Sequence, residues 1–425
     1  PLALIFVVAT PLIGLALYLV MSRSVPFFKA IQKKLDAISR LSRESLSGVR
    51  VIRAFSRQEQ ETERFTNAAD EQAAAAIRVG KLSALLNPIT FAIINFSILA
   101  IVWYGGFRVD TGIVTQGQIV ALINYMNQTL LALVVVANLV VIFTKASASA
   151  SRVNEVLHTK TTVQEPDSAT EPQPVSGAPK VEFRGVSFSY HLPGEYALQG
   201  CSVAIAAGET IGIIGGTGSG KSTLVNLIPR FYDVTKGQVL LDGVDVRDYP
   251  FAVLRGRVGI VLQQSELFTG TIRSNLQWGN SAATDEQLWQ ALKTAQAEDF
   301  VRALPKGLSS PVSQGGKNYS GGQRQRLAIA RTLAANPQVL ILDDSSSALD
   351  FATDAALRRA LRNDTAGTTV LIVSQRVSSI RHADRIIVLD DGAVAGIGTH
   401  EELMQSCSVY QEICLSQMNR EEVAR

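Results

Sequence analysis

The chain has 425 residues, enough for two or three domains with separate cores. Its 47% hydrophobic content is high for a soluble protein, and the excess sits almost entirely before residue 145. A formal net charge of +3 gives no electrostatic footprint for nucleic acid, so that class of partner is not expected. The three cysteines, Cys201, Cys407 and Cys414, are far apart, odd in number and without CxxC spacing. They read as reduced thiols rather than as a disulfide or zinc site.

Residues 1–22 carry no charged side chain and match the length of about 20 residues that crosses a bilayer core. No charged n-region precedes this run and Pro1 is not an initiator methionine. The run is therefore expected to be a membrane span in a chain that begins part-way through a longer protein, not a signal peptide. Leu82 to Phe107 and Thr111 to Thr144 are two further uncharged stretches. All three are predicted to span the membrane, because helices of a soluble bundle rarely lack charge over such lengths. Asn124, Asn127, Gln128 and Asn138 interrupt the third. These amides fit either a substrate path or hydrogen bonds between helices.

Flanking charge predicts the orientation. Arg23 to Lys81 holds 12 Lys/Arg against 7 Asp/Glu, whereas only Arg108 and Asp110 lie between the second and third spans. The basic segment is expected in the cytoplasm, the turn at 105–112 outside, and everything from residue 145 onward in the cytoplasm. Ile31, Leu35, Ile38, Leu41 and Leu46 recur at helical spacing, so the membrane helices are predicted to run on beyond the bilayer. Residues 159–179 turn polar and proline-rich (Pro166, Pro172, Pro174, Pro179) and read as a linker. This gives a membrane domain over 1–158, the linker, and a soluble domain over 180–425.

In the soluble domain a short apolar strand, Thr210 to Ile214, runs into Gly215, Gly216, Thr217, Gly218, Ser219, Gly220, Lys221, Ser222 and Thr223. This is the phosphate-loop pattern in its required context, strand before and helix after. Glycines let backbone N–H groups close around phosphate oxygens, and the helix presents its positive end. Lys221 is expected to reach the β- and γ-phosphates of ATP, and Ser222 to ligate Mg²⁺. A second buried strand, Val339 to Leu342, ends in Asp343 and Asp344. Asp343 fits the Mg²⁺-holding acid, and Asp344 lies where an attacking water is activated. Tyr319, Ser320, Gly321, Gly322 and Gln323 follow the phosphate loop and precede Asp343 by about twenty residues; they open a helix predicted over Arg324 to Asn336 and stopped by Pro337. Ser320 and the free N–H groups of that helix start form an anion site.

On these residues the domain resembles the ATP-binding cassette (ABC) ATPases, whose LSGGQ signature clasps the γ-phosphate of ATP held by a second subunit; Tyr319 stands in place of the Leu. The resemblance implies an α/β P-loop fold with a helical subdomain. It implies that Tyr190 stacks on adenine, that Gln263 after the strand Val258 to Leu262 is the Q-loop residue touching Mg²⁺, and that 347–350 is the D-loop, ending in Asp350. His400 lies in a Thr399–Glu402 capping box and is expected to be structural. The membrane half resembles that of ABC exporters, all α-helical, with Glu44 to Phe65 as the second intracellular loop with its coupling helix. The three spans then correspond to the last three of six.

Two positions depart from the family pattern. Exporters usually carry Glu after the Mg²⁺-binding Asp and His in the switch loop, where this chain has Asp344 and Gln375. Acidity explains little, since free Asp and Glu differ by about 0.4 pK units. Reach explains more: one methylene less retracts the carboxylate by about 1 Å, and such a misplacement costs on the order of 10²-fold. Gln375 donates a hydrogen bond but cannot switch protonation. The pattern resembles the degenerate-site subunit of heterodimeric bacterial multidrug exporters. It implies ATP-driven export of a small-molecule, lipid or peptide substrate across the cell membrane, with a second subunit carrying the active site. A homodimer with two sluggish sites, a soluble ABC-type ATPase and a membrane-bound ATP sensor are the alternative readings.

Overall fold

The computed structural model describes residues 2–166, 172–191, 194–345, 347–365 and 367–417; the side chain of Asn138 lies outside the described set. The chain divides into two compact units, residues 1–159 and 160–425.

The first unit is helical throughout: α1 (Ala3–Ser47), α2 (Val49–Ala54), α3 (Gln58–Ala84), α4 (Leu86–Asp110) and α5 (Gln116–His158). Among the described residues three stretches are long and apolar enough to cross a membrane, Leu4–Ser47, Gln58–Asp110 and Gln116–Val136. Helix α1 continues past its apolar part, as the spacing of Ile31 to Leu46 predicts, and pairs with α3 through Lys34–Glu71 (2.6 Å) and Glu44–Arg64 (3.8 Å). Contacts that step down one helix as they step up the other define an antiparallel hairpin. At its tip sits α2, none of whose residues is buried. Between α3 and α4 the helix breaks at Leu85, because Pro88 has no N–H to return to the preceding turn. The free hydroxyl of Thr90 donates to Leu86 and Asn87 carbonyls there (2.8 and 3.0 Å).

The turn after α4 falls later than expected. Gly105 to Asp110 are helical, and the reversal occupies 111–115. The reason is packing: a Cβ on Gly105 would lie 2.7 Å from Ile119 Cδ1, so this glycine lets α5 approach rather than turning the chain. Thr115 and Gln118 then start α5 with a reciprocal capping box. The core of the unit joins Ala9, Ile13 and Leu17 of α1 to Ile94 and Ile101 of α4 and Met126 of α5. Phe96, Trp103 and Leu131 point outward, each more than 60% exposed, an apolar surface suited to lipid or further helices.

The second unit is α/β. Strands β1 (Val181–Phe188), β2 (Leu198–Ile205), β4 (Lys236–Leu241) and β5 (Val244–Asp245) form an antiparallel sheet in the order β2-β1-β4-β5. A six-stranded sheet runs β12-β11-β3-β10-β9-β6, from β3 (Thr210–Gly215), β6 (Val258–Val261), β9 (Val339–Asp343), β10 (Thr369–Val373), β11 (Arg385–Asp390) and β12 (Ala393–Gly398). All but β12 are parallel, and their near-continuous burial is what a sheet covered on both faces requires. Strands β7 (Gly270–Thr271) and β8 (Pro311–Val312) pair in a small ribbon. Helix α6 (Lys221–Asn226) follows β3, and α7 (Phe251–Arg257) precedes β6. Helices α8 (Ile272–Leu276), α9 (Asp285–Thr294), α10 (Glu298–Arg302) and α11 (Gly321–Ala334) share a second core with β9. Helix α12 (Phe351–Asp364) leads to β10, α13 (Val377–Ile380) to β11, and α14 (His400–Ser406) and α15 (Ser408–Gln417) close the domain. The linker is fastened to it: Glu165 accepts the Phe251 N–H (2.9 Å) and Val175 donates to Asp242 O (2.9 Å).

Ile341 is fully buried at the centre of β9. Ile341→Ala is expected to destabilise this domain by about 2–5 kcal/mol. A thermal unfolding midpoint lowered by at least ~4 °C in the purified chain checks this.

Candidate functional site: the carboxyl edge of the parallel sheet

A parallel sheet sends every strand's carboxyl end to one edge. Here that edge gathers the loop after β3 (215–220), Gln263 after β6, Asp343 and Asp344 at the end of β9, and Ser374 and Gln375 after β10. Four of the sequence-predicted groups are joined directly. Ser222 Oγ donates to Asp343 Oδ1 (2.9 Å), and Gln263 Nε2 donates to Asp344 Oδ2 (3.2 Å).

The loop is held open by glycine. Gly220 adopts φ +93°, and a Cβ there would lie 2.6 Å from the Ala197 carbonyl. On Gly215 it would lie 2.1 Å from the Leu389 carbonyl. Lys221, 8% exposed, folds back so that its ammonium donates to the Gly215 and Gly216 carbonyls (3.0 and 2.6 Å) and to Ser219 Oγ (3.4 Å). Burial pushes its pKa below the ordinary lysine value, against the opposing pull of Asp344 and Asp343. Thr217 and Gly218 form the exposed crown of the loop.

Burial likewise raises both carboxyls. The Ser222 hydroxyl opposes the rise at Asp343; at Asp344 the Gln263 amide, Arg376 and Lys221 oppose it. Asp344 sits in the left-handed region (φ +46°), and its N–H donates to Val373 O on the adjacent strand (3.0 Å). That bond places the acid beside the switch segment. The side chain of Gln375 is exposed and makes no hydrogen bond among the described residues, while its carbonyl accepts Gln417 Nε2 (2.6 Å). Gln417 also accepts the Val377 N–H (2.9 Å), so the end of α15 clasps the switch segment from both sides. Nothing in the sequence announces this clasp, because the partners lie forty residues apart without a motif.

Ser222, Asp343 and Gln263 offer oxygen donors only, and no cluster of three or more His, Cys, Asp or Glu suited to a metal occurs among the described residues. Such a set fits Mg²⁺, which takes one or two protein oxygens and completes its shell with phosphate and water. Tyr190 is 48% exposed, lies edge-on to Phe188 and Tyr232, and bonds through its hydroxyl to Thr223 Oγ1 (3.0 Å). The ring thus stands beside the loop, about half exposed.

The helix after the serine–glycine motif begins three residues earlier than the sequence suggests, at Gly321. Ser320 and Gln323 form a capping box: the Gln323 N–H donates to Ser320 Oγ (3.2 Å), and the Ser320 N–H donates to Gln323 Oε1 (2.9 Å). The box leaves the N–H groups of Gly321 and Gly322 without intrahelical partners. No hydrogen bond joins residues 320–323 to the phosphate loop among the described residues. Tyr319 is 8% exposed in the helical core, and its hydroxyl donates to Pro311 O (3.1 Å), which is how a Tyr fills a Leu position without a stranded polar atom. Gly322 lies against the Ala348 carbonyl, and Asp350 caps α12 through the Thr353 N–H (2.9 Å). His400 sits in the expected Thr399–Glu402 capping box and bonds through Nδ1 to the buried Tyr410 hydroxyl (2.8 Å), a structural role.

Comparison with known proteins supplies the deciding observation. An uncharacterized ABC transporter ATP-binding protein of Mycobacterium bovis is 41% identical over 417 residues, covering 97% of this chain and 71% of its own. The chain belongs to the ABC transporters. The ABC transporter family model matches residues 198–347, and the ABC transporter transmembrane region matches residues 1–134. A fatty acid ABC transporter ATP-binding/permease protein of M. bovis is 36% identical over 97% of this chain and 64% of its own. A bacterial Atm1-family ABC exporter solved with ATP bound superposes with a TM-score of 0.86 at 28% identity, covering 99% of this chain and 73% of that one. The chain is therefore an ABC exporter polypeptide, with a helical transmembrane domain and an α/β nucleotide-binding domain.

The loop geometry separates two glycines. Gly220→Ala, at a left-handed position against a carbonyl, is expected to cost about 1–3 kcal/mol. Gly216→Ala, with nothing within 4 Å of the new Cβ, should leave the thermal midpoint unchanged. Thermal unfolding of both variants tests the difference.

Proposed function

We propose that this chain is one subunit of an ABC exporter dimer that drives a hydrophobic or amphipathic substrate across the cell membrane, and that its own nucleotide site binds ATP but turns it over slowly. The observation that carries the reading is the pairing of Asp344 and Gln375 at the ends of adjacent strands, in a domain whose Ser320–Gln323 capping box is intact. One site is short of reach and of an imidazole, while the signature element remains fit to serve a different site.

In this mechanism Gly215 to Thr223 wrap the triphosphate, Lys221 leaves its carbonyl partners for the β- and γ-phosphates, and Tyr190 stacks on adenine. The desolvated ammonium gains from each phosphate charge it meets, because the low local dielectric strengthens the pairing. Ser222, Asp343 and Gln263 are the residues that would hold Mg²⁺, which would supply positive charge against the phosphates. Asp344 orients the attacking water from about 1 Å too far back, and Gln375 donates to the γ-phosphate without relaying a proton. Ser320, Gly321, Gly322 and Gln323 reach the ATP of the partner, with Asp350 beside them in the D-loop. Closure of the two nucleotide-binding domains passes to the spans through α2, and alternating access follows. The relative named for fatty acids favours an acyl-chain substrate, consistent with the apolar outer faces of the spans.

The test is rapid-quench analysis of the assembled, ATP-loaded pair. One of the two bound ATP molecules is expected to be cleaved in a fast phase. Asp344→Glu combined with Gln375→His should bring the other into that phase, a gain of about 10²-fold at this site. Fast cleavage of both before the substitutions overturns the reading.

A further inference from the structure

A cavity of about 550 Å³ opens at the opposite edge of the same sheet, between the start of β3, α12 and the end of α13. A six-residue strand spans ~16 Å, so this cavity lies well away from the phosphate loop at the other end of β3. Its floor is apolar, from Leu361 and Val370. Its walls are basic: Arg358, Arg359 and Arg362 from α12, and Arg381 and His382 from the segment after α13.

The charges do not balance within the cavity. Arg358 is spent on the buried Asp354 (3.0 Å) and on Ser378 O (2.6 Å). Arg362 donates to His382 O (3.1 Å) and meets no carboxylate among the described residues. Arg359 and Arg381 have neither a hydrogen bond nor an ion pair among the described side chains. The acids facing them are few. Asp384 lines the wall but accepts the Thr210 N–H (2.7 Å), and Glu401 feels Arg381 without forming an ion pair. The lining holds four arginines and one acid, Asp384; Asp354 neutralises Arg358 from outside it, and Glu401 acts on Arg381 from a distance. His382 reports the same field: burial lowers its pKa first, and Arg381, Arg362 and Arg358 lower it further.

We propose that this cavity is a second anion site, for a small phosphate-bearing metabolite with two or more negative charges. The unspent guanidinium groups take the phosphate oxygens, a geometry they match with paired donors, and the apolar floor takes the organic remainder. Occupancy would tie α12 to the α13 segment. Asp350 caps the start of α12 and Gln375 lies two residues before α13, so the anion would brace two loops of the nucleotide edge from behind. The inference does not depend on which subunit hydrolyses ATP.

Inorganic pyrophosphate is the probe, titrated by calorimetry into the Lys221→Ala chain so that the phosphate loop does not compete. Saturable binding at one per chain is expected, weakened about tenfold or more by Arg359→Gln with Arg381→Gln. Neither side chain makes a hydrogen bond or ion pair among the described residues, so the double variant should keep the parent's thermal midpoint. Protection offers an independent readout: pyrophosphate should shield Arg359 and Arg381 from phenylglyoxal in the Lys221→Ala chain. Absence of saturable binding, affinity unmoved by the double substitution, or unshielded arginines would each overturn the proposal.

Discussion

The alignment of strand ends in the parallel sheet is the constraint on which this protein's chemistry depends. Strands β3, β6, β9 and β10 all deliver their carboxyl ends to one edge, so residues from four distant parts of the sequence meet without any loop crossing the core. The bonds Ser222–Asp343 and Gln263–Asp344 are the local expression of that constraint. Each joins groups separated by eighty residues or more, and each is short because the strands beneath them are in register.

The same edge explains why two substitutions act as one. Asp344 and Gln375 stand on neighbouring strands, tied through the Asp344 N–H to the Val373 carbonyl. In the function proposed above, a carboxylate that reaches less far and an amide that cannot change charge bear on a single reaction centre. Ser320 and the amides of Gly321 and Gly322 belong to the other core, packed with α8 to α10, and carry no such defect. This separation of the two elements is the physical basis for the proposal of an unequal partner.

Much of this was legible in the sequence. The phosphate loop, the acids after Val339 to Leu342 and the serine–glycine helix start are local patterns whose chemistry fixes their spacing, and the structure places them in the expected strand–loop–helix contexts. Helix continuation past residue 22 followed from Ile31, Ile38 and Leu41 recurring on one face. What was hidden depended on contacts between distant residues. Gly105 looked like a turn but serves close packing against Ile119. The early start of α11 followed from Gln323 closing a capping box with Ser320, which spacing allows but does not compel. The Gln417 clasp on the switch segment and the basic cavity behind β3 each join segments with no shared motif.

The claim at the centre is that this chain's helix start completes an ATP site on another subunit. Ser320→Asp tests it directly, since Asp keeps a capping oxygen for α11 but sets a carboxylate where a γ-phosphate would dock. In the assembled complex, ATP cross-linking to this chain's own phosphate loop and steady-state hydrolysis are measured together. The account predicts that labelling persists while hydrolysis falls to background. Hydrolysis at the unsubstituted rate would contradict it.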